Sequence, residues 1–117
     1  MVTSIRPSQL QQWFDTLGAG ASALVLDVRE PHELQRASVA DSACAKGFTL
    51  LAIPMHSVPQ QLAGLDIEQP IACLCHHGAR SMQVAQFLES RGYGCVANIT
   101  GGIHAWSQEL DAAIPVY

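Results

Sequence analysis

Unbroken apolar runs alternate with amphipathic stretches along this chain, and that alternation predicts its architecture. Leu10, Trp13, Phe14 and Leu17 fall at i, i+3, i+4 and i+7, the stripe of a helix over residues 8–17. Ser8 and Gln11 form a capping-box pattern behind Pro7, and Gly18 can close the far end. Ala23-Leu24-Val25-Leu26 has no polar interruption, which suits a strand buried on both faces of a parallel sheet. Thr49-Leu50-Leu51-Ala52-Ile53, stopped by Pro54, reads as a second strand. Ile71-Ala72-Cys73-Leu74 and Cys95-Val96-Ala97-Asn98-Ile99 read as two more. Short helices are expected at 31–35, started by Pro31, and at 57–62, with Ser57 as its cap. Met82, Val84, Ala85 and Leu88 mark a longer helix within 80–91. Gly101-Gly102 turns the chain into a last helix with Ile103, Trp106 and Leu110 on one face. Residues 36–48 show no period. The pattern predicts an α/β fold, one domain over 1–117, with a central parallel sheet of about four to five strands and helices on both faces.

Composition narrows the function. With 49% apolar and 14% charged residues, the 117-residue chain has the makings of a single packed core. Its net charge of -4 comes without a cluster of Lys or Arg, which points away from nucleic acid and membrane surfaces. No apolar run is long enough to cross a bilayer. Residues 1–7 lack the apolar core of a secretory signal, so a cytoplasmic location is expected. The four cysteines then read as reduced thiols. Cys73 and Cys95, flanked by apolar neighbours, are expected in the core, and Cys44 falls in the stretch without a period.

The candidate chemistry lies in Cys75-His76-His77-Gly78-Ala79-Arg80-Ser81. A strand leads in and a helix leads out, so loop amides and the positive end of a helix surround one point. Cys75, just past the strand, would sit in that field, which favours the reactive thiolate. The loop is suited to holding an anion against a nucleophilic sulfur. Asp27 and Arg29 follow the first predicted strand, where open α/β sheets collect their sites. They carry two readings: an ion pair at the turn, or a brace for the active loop. Glu30 reads as a turn residue.

These features resemble the rhodanese family of sulfurtransferases. The resemblance rests on Leu26-Asp27-Val28-Arg29-Glu30-Pro31, Ala52-Ile53-Pro54, the Cys75 to Ser81 loop, and Gly101-Gly102-Ile103-His104-Ala105-Trp106. The chain departs from the family over 36–48, where a short Gly-His-Ile link is replaced by a longer one without the His. The resemblance implies a persulfide formed when Cys75 attacks the outer sulfur of thiosulfate or a persulfide donor. Cyanide, glutathione or a thioredoxin-like thiol would then accept that sulfur, with no cofactor. It also implies that Arg80 draws the anionic donor, its planar fork suiting a tetrahedral anion. His76, His77, Gly78, Ala79 and Ser81 would surround the substrate, their amides stabilising the persulfide charge. Asp27 and Arg29 would support them.

Three other readings compete. A phosphatase or arsenate reductase of the related fold would carry a longer loop than the four residues between Cys75 and Arg80. Cys73, Cys75, His76 and His77 are all zinc-ligand types. Adjacent histidines on a tight loop are expected to point apart, however, and no second ligand pair stands at zinc spacing. His32, His56 and His104 are isolated. A non-catalytic rhodanese-like module for protein binding or sulfur carriage is the remaining class, and retention of Cys75 and Arg80 favours the enzyme.

Overall fold

The structure is a computed structural model that describes residues 2–39 and 48–117. Its centre is a five-stranded sheet, β1 (Thr3–Ile5), β2 (Leu24–Asp27), β3 (Thr49–Ala52), β4 (Ile71–Leu74) and β5 (Val96–Ile99), ordered β1-β5-β4-β2-β3. All neighbouring strands run parallel. The three inner strands are buried along their whole length, as their unbroken apolar runs require. Edge strand β3 is largely exposed, which its apolar sequence does not announce.

Alternate side chains feed two cores, because successive strand residues face opposite ways. On one face Val25, Ala72, Leu74, Ala97 and Ile99 pack with Leu10 and Phe14 of helix α1 (Leu10–Thr16) and Ile103 and Trp106 of α4 (Gly102–Glu109). On the other, Leu24, Leu26, Ile71, Cys73 and Val96 pack with Val84, Ala85 and Leu88 of α3 (Ala79–Ser90). The short α2 (Pro31–Arg36) opens at a proline just past β2.

Several expectations need correction. Strand β1 was not predicted; only its Ile5 is buried, too little pattern to see. The predicted helix over 8–17 starts as a 3-10 turn at Pro7–Gln9, and Ser8 is not its cap. Gln9 Oε1 instead accepts the Arg6 N–H at 2.8 Å. Trp13 is half-buried against Phe14, and Leu17, just past the last turn, is exposed. The expected helix at 57–62 is two 3-10 turns, Met55–Ser57 and Pro59–Gly64, so Ser57 ends the first turn and caps nothing. Pro54 and Pro59 fix φ and withhold N–H donors, which cuts the segment into short pieces. Cys73 lies in the core, where burial, followed by the influence of Cys75, pushes its thiol up to about 12. Cys95 is only half-buried because it precedes β5 and lends its carbonyl to the Ile71 N–H at 2.9 Å. Cys44 lies outside the described residues, as do 40–47 generally.

Candidate active site

The strand register brings the candidate residues to one rim. Asp27 stands level with Leu74, and Cys73 with Asn98, so the residues after β2, β4 and β5 emerge together at the carboxyl ends. Strand β4 stops at Leu74, and Cys75 begins the loop, buried with 1% of its surface exposed. Gly78 has φ 108°, in the region that favours glycine, and a Cβ there would come within 3.2 Å of the Gly101 nitrogen. Helix α3 begins at the next residue.

Helix α4 holds the loop from behind. Its Ile103 N–H donates to the Cys75 carbonyl at 2.8 Å, and its His104 N–H to the His76 carbonyl at 3.2 Å. These carbonyls therefore turn toward α4. On the inner side, the Gly78 N–H donates to Cys75 Sγ at 3.0 Å. The approach depends on Gly102, where φ is 59° and a Cβ would lie 2.4 Å from the Cys75 carbonyl oxygen. A sulfur bearing negative charge would find here an amide donor and the N-terminal end of α3.

Ser81 is fully buried beside the sulfur. Its Oγ lies 2.5 Å from Asn98 Oδ1, 3.2 Å from the Gly78 carbonyl and 3.3 Å from Cys75 Sγ. One hydroxyl proton faces three acceptors. Asn98 Nδ2 donates to the Gly78 carbonyl at 3.2 Å, which points its oxygen at Ser81. Sequence reasoning missed Asn98, although it is the one polar side chain in Val96-Ala97-Asn98-Ile99 and is buried. A buried amide within an apolar strand was the available signal.

Arg80 is not free. Its two terminal nitrogens form a fork with Glu33, NH1 to Oε1 at 2.5 Å and NH2 to Oε2 at 2.8 Å. Glu33 also accepts the Glu30 N–H at 3.1 Å and the Tyr117 hydroxyl at 2.9 Å. Arg80, with desolvation opposing it, holds the Glu33 carboxyl down to about 2, and the Arg80 guanidinium is raised in return. Glu33 was also missed. It lies in the first turn of a proline-started helix, where it also completes a capping box with Glu30.

Asp27 and Arg29 form a fully buried fork, Nε to Oδ1 at 2.9 Å and NH2 to Oδ2 at 2.7 Å. Burial opposes the Arg29 charge, but its bonds to Asp27 outweigh that and raise its pKa. Arg29 NH1 donates to the Tyr117 hydroxyl at 3.0 Å. The ion pair is thus linked through Tyr117 and Glu33 to Arg80. Tyr117 was not singled out from sequence.

The histidines do not point apart. The His76 ring stacks between His77 and Tyr117, with centroids 3.9 Å away on either side. Both neighbours are flat rings, and stacking covers more apolar surface than splaying. Burial first, and then His77, push the His76 imidazole below its ordinary value. His76 Nε2 and His104 Nδ1 are buried without a hydrogen-bond partner among the described residues. Ala79 is exposed at the start of α3. Among the described residues no group of three or more His, Cys, Asp or Glu is arranged to hold a metal, and no helix is long and apolar enough to cross a membrane.

Residues 7–109 match the family described as Rhodanese-like domain. The chain belongs to that family. As a rhodanese-like domain it is 32% identical over 108 residues to a protein named Sulfurtransferase from Allochromatium vinosum, covering 92% of this chain and 91% of that one. It is 40% identical over 97 residues to the chloroplastic Rhodanese-like/PpiC domain-containing protein 12 of Arabidopsis thaliana. That match takes in 81% of this chain but only 30% of the plant protein. The crystal structure of a rhodanese-related protein from Thermoplasma volcanium superposes with a TM-score of 0.69 at 31% identity, covering 92% of each chain.

Proposed function

We propose that residues 1–117 act as one rhodanese-like domain and that it is a sulfurtransferase carrying sulfane sulfur on Cys75. The observation that carries this reading is the Gly78 N–H aimed at Cys75 Sγ at 3.0 Å, at the head of α3. Cys75 thiolate attacks the outer sulfur of thiosulfate or of a persulfide. A new Sγ–S bond forms as the donor's S–S bond breaks, and sulfite or a thiolate leaves with the electron pair. The charge on the new terminal sulfur is stabilised by amides of the 76–81 loop, of which the Gly78 N–H already points at Sγ. An acceptor thiolate or cyanide then takes that sulfur and returns Cys75 as thiolate.

In this reading Gly78 and Ala79 supply backbone, Ser81 positions the sulfur, and His76 and His77 wall the entrance. Arg80 is the cation at the mouth, with Asp27 and Arg29 as distant support. The chemistry calls on no cofactor. A reducing compartment such as the cytoplasm suits a working thiol, and glutathione or a thioredoxin-like protein has the chemistry of an acceptor. The relative from Allochromatium vinosum, named for sulfur transfer and covered almost end to end, supports the same assignment.

Intact mass after incubation with thiosulfate and with an alkyl persulfide tests it. The expected result is a gain of one sulfur atom in the wild type, lost with dithiothreitol and absent in Cys75→Ser. Sulfur retained by Cys75→Ser would sink the assignment.

A further inference from the structure

The cation expected to attract an anionic donor already has an anion. Both terminal nitrogens of Arg80 are committed to the two oxygens of Glu33, the geometry in which guanidinium and carboxylate bind best. Glu33 is itself held in place by the Glu30 amide and the Tyr117 hydroxyl, and its side chain is 10% exposed against 34% for Arg80. The carboxylate is therefore the fixed partner, and the guanidinium is drawn to it.

Of the other cations near the loop, Arg29 is already paired, while Arg36 stands over the Tyr117 ring, 5.6 Å from its centroid. Arg29 is spent on Asp27, fully buried, and its remaining reach goes to Tyr117. His76 is stacked between His77 and Tyr117, where burial disfavours its charged form. A small dianion such as thiosulfate would have to break the Arg80–Glu33 fork, leaving the carboxylate uncompensated, or bind without a guanidinium of its own. Either costs affinity. A persulfide carried on an organic thiol needs no guanidinium at its sulfur.

We propose that Glu33 is a specificity-determining residue: by occupying Arg80 it disfavours small dianionic sulfur donors and leaves the Cys75 loop selective for persulfides borne on organic thiols. This rests on the sulfurtransferase reading above. In the favoured step Cys75 thiolate attacks the outer sulfur of R–S–S–H. The Sγ–S bond forms as the donor's S–S bond breaks, the pair leaves on R–S⁻, and the transferred sulfur keeps its proton until it ionises to solvent. No oxidant or reductant is needed.

The test compares kcat/KM for thiosulfate, with cyanide as acceptor, against the rate of Cys75 loading from cysteine persulfide, in wild type and Glu33→Gln. Glutamine keeps an oxygen for the Glu30 amide but removes the counter-charge. The expected result is a rise of about tenfold or more in thiosulfate kcat/KM, mostly through KM, with persulfide loading changed less than about twofold. Tyr117→Phe, which removes one bond to Glu33 without touching Arg80, should shift the donor ratio the same way by less, and decides the matter if Glu33→Gln does not fold. A donor ratio that stays put, or a fall in thiosulfate kcat/KM, would overturn the proposal and make Glu33 a positioner of Arg80. If wild-type Cys75 loads from neither donor, the sulfurtransferase reading itself fails, and the selectivity with it.

Discussion

Asn98 takes the Ser81 hydroxyl at 2.5 Å while Cys75 Sγ waits 3.3 Å from the same oxygen. The amide thus competes with the sulfur for one proton, and it does so from a strand that neither contains nor adjoins the loop in sequence. The thiol's surroundings are set by β5 as much as by the loop itself.

Asn98→Ala releases the Ser81 hydroxyl to donate to Cys75 and leaves the Gly78 carbonyl without its amide. Alkylation of Cys75 by iodoacetamide at neutral pH should quicken. Stability, followed by urea unfolding, should fall by about 1–3 kcal/mol for the lost buried bonds. Slower alkylation in a folded variant would count against the competition.

Gly102→Ala places a methyl 2.4 Å from the Cys75 carbonyl at a backbone φ of 59°. The loop or α4 must move, at a cost of about 2 kcal/mol or more. Gly64→Ala is the control, since nothing lies within 4 Å of its Cβ position and its φ is ordinary. That change should stay within about 0.5 kcal/mol of wild type. Equal denaturation midpoints for the two variants would contradict the packing described.

The Arg80–Glu33 fork predicts acid sensitivity with a definite sign. The Glu33 carboxyl, lowered by Arg80 from 4.5 to about 2, binds its proton more weakly folded than unfolded. Its contribution is therefore fully present above about pH 4.5 and is lost as pH falls toward 2. Urea midpoints measured across that window should drop more steeply for wild type than for Glu33→Gln. Parallel curves would show the fork to be electrostatically idle.

Cys73 and Cys75 lie two residues apart and should behave as unlike thiols. Cys73, buried and pushed up to about 12, is predicted to escape labelling by iodoacetamide in the native protein at pH 8. In Cys75→Ser, peptide mapping should find the half-buried Cys95 labelled ahead of Cys73. Labelling of Cys73 without unfolding would place it nearer solvent than the core described.

The parts of this protein visible in its sequence are those where one local pattern decides the outcome. Runs such as Val25-Leu26 and Ile71-Ala72, apolar throughout, form inner strands. The Cys75 to Ser81 loop could be placed because a strand before it and a helix after it are both strongly marked. Glu33, Asn98 and Tyr117 were hidden because their importance is a matter of distance across the fold. Glu33 lies 47 positions from Arg80, and Tyr117 lies 84 from Glu33. Nothing in a neighbouring residue reports such contacts. Strand β1 was hidden for a related reason, since its pairing with β5 is supplied by the far end of the chain.

The grip of α4 on the Cys75 and His76 carbonyls also imposes an order in time. During synthesis the thiol loop is made before Ile103 and His104, and β5 with Asn98 is made between the two. A chain in which α4 has not yet docked therefore carries this loop with the Cys75 and His76 carbonyls free of their α4 donors. The held form of the loop, with its amide aimed at the sulfur, can therefore arise only once late-made segments close over an early-made one.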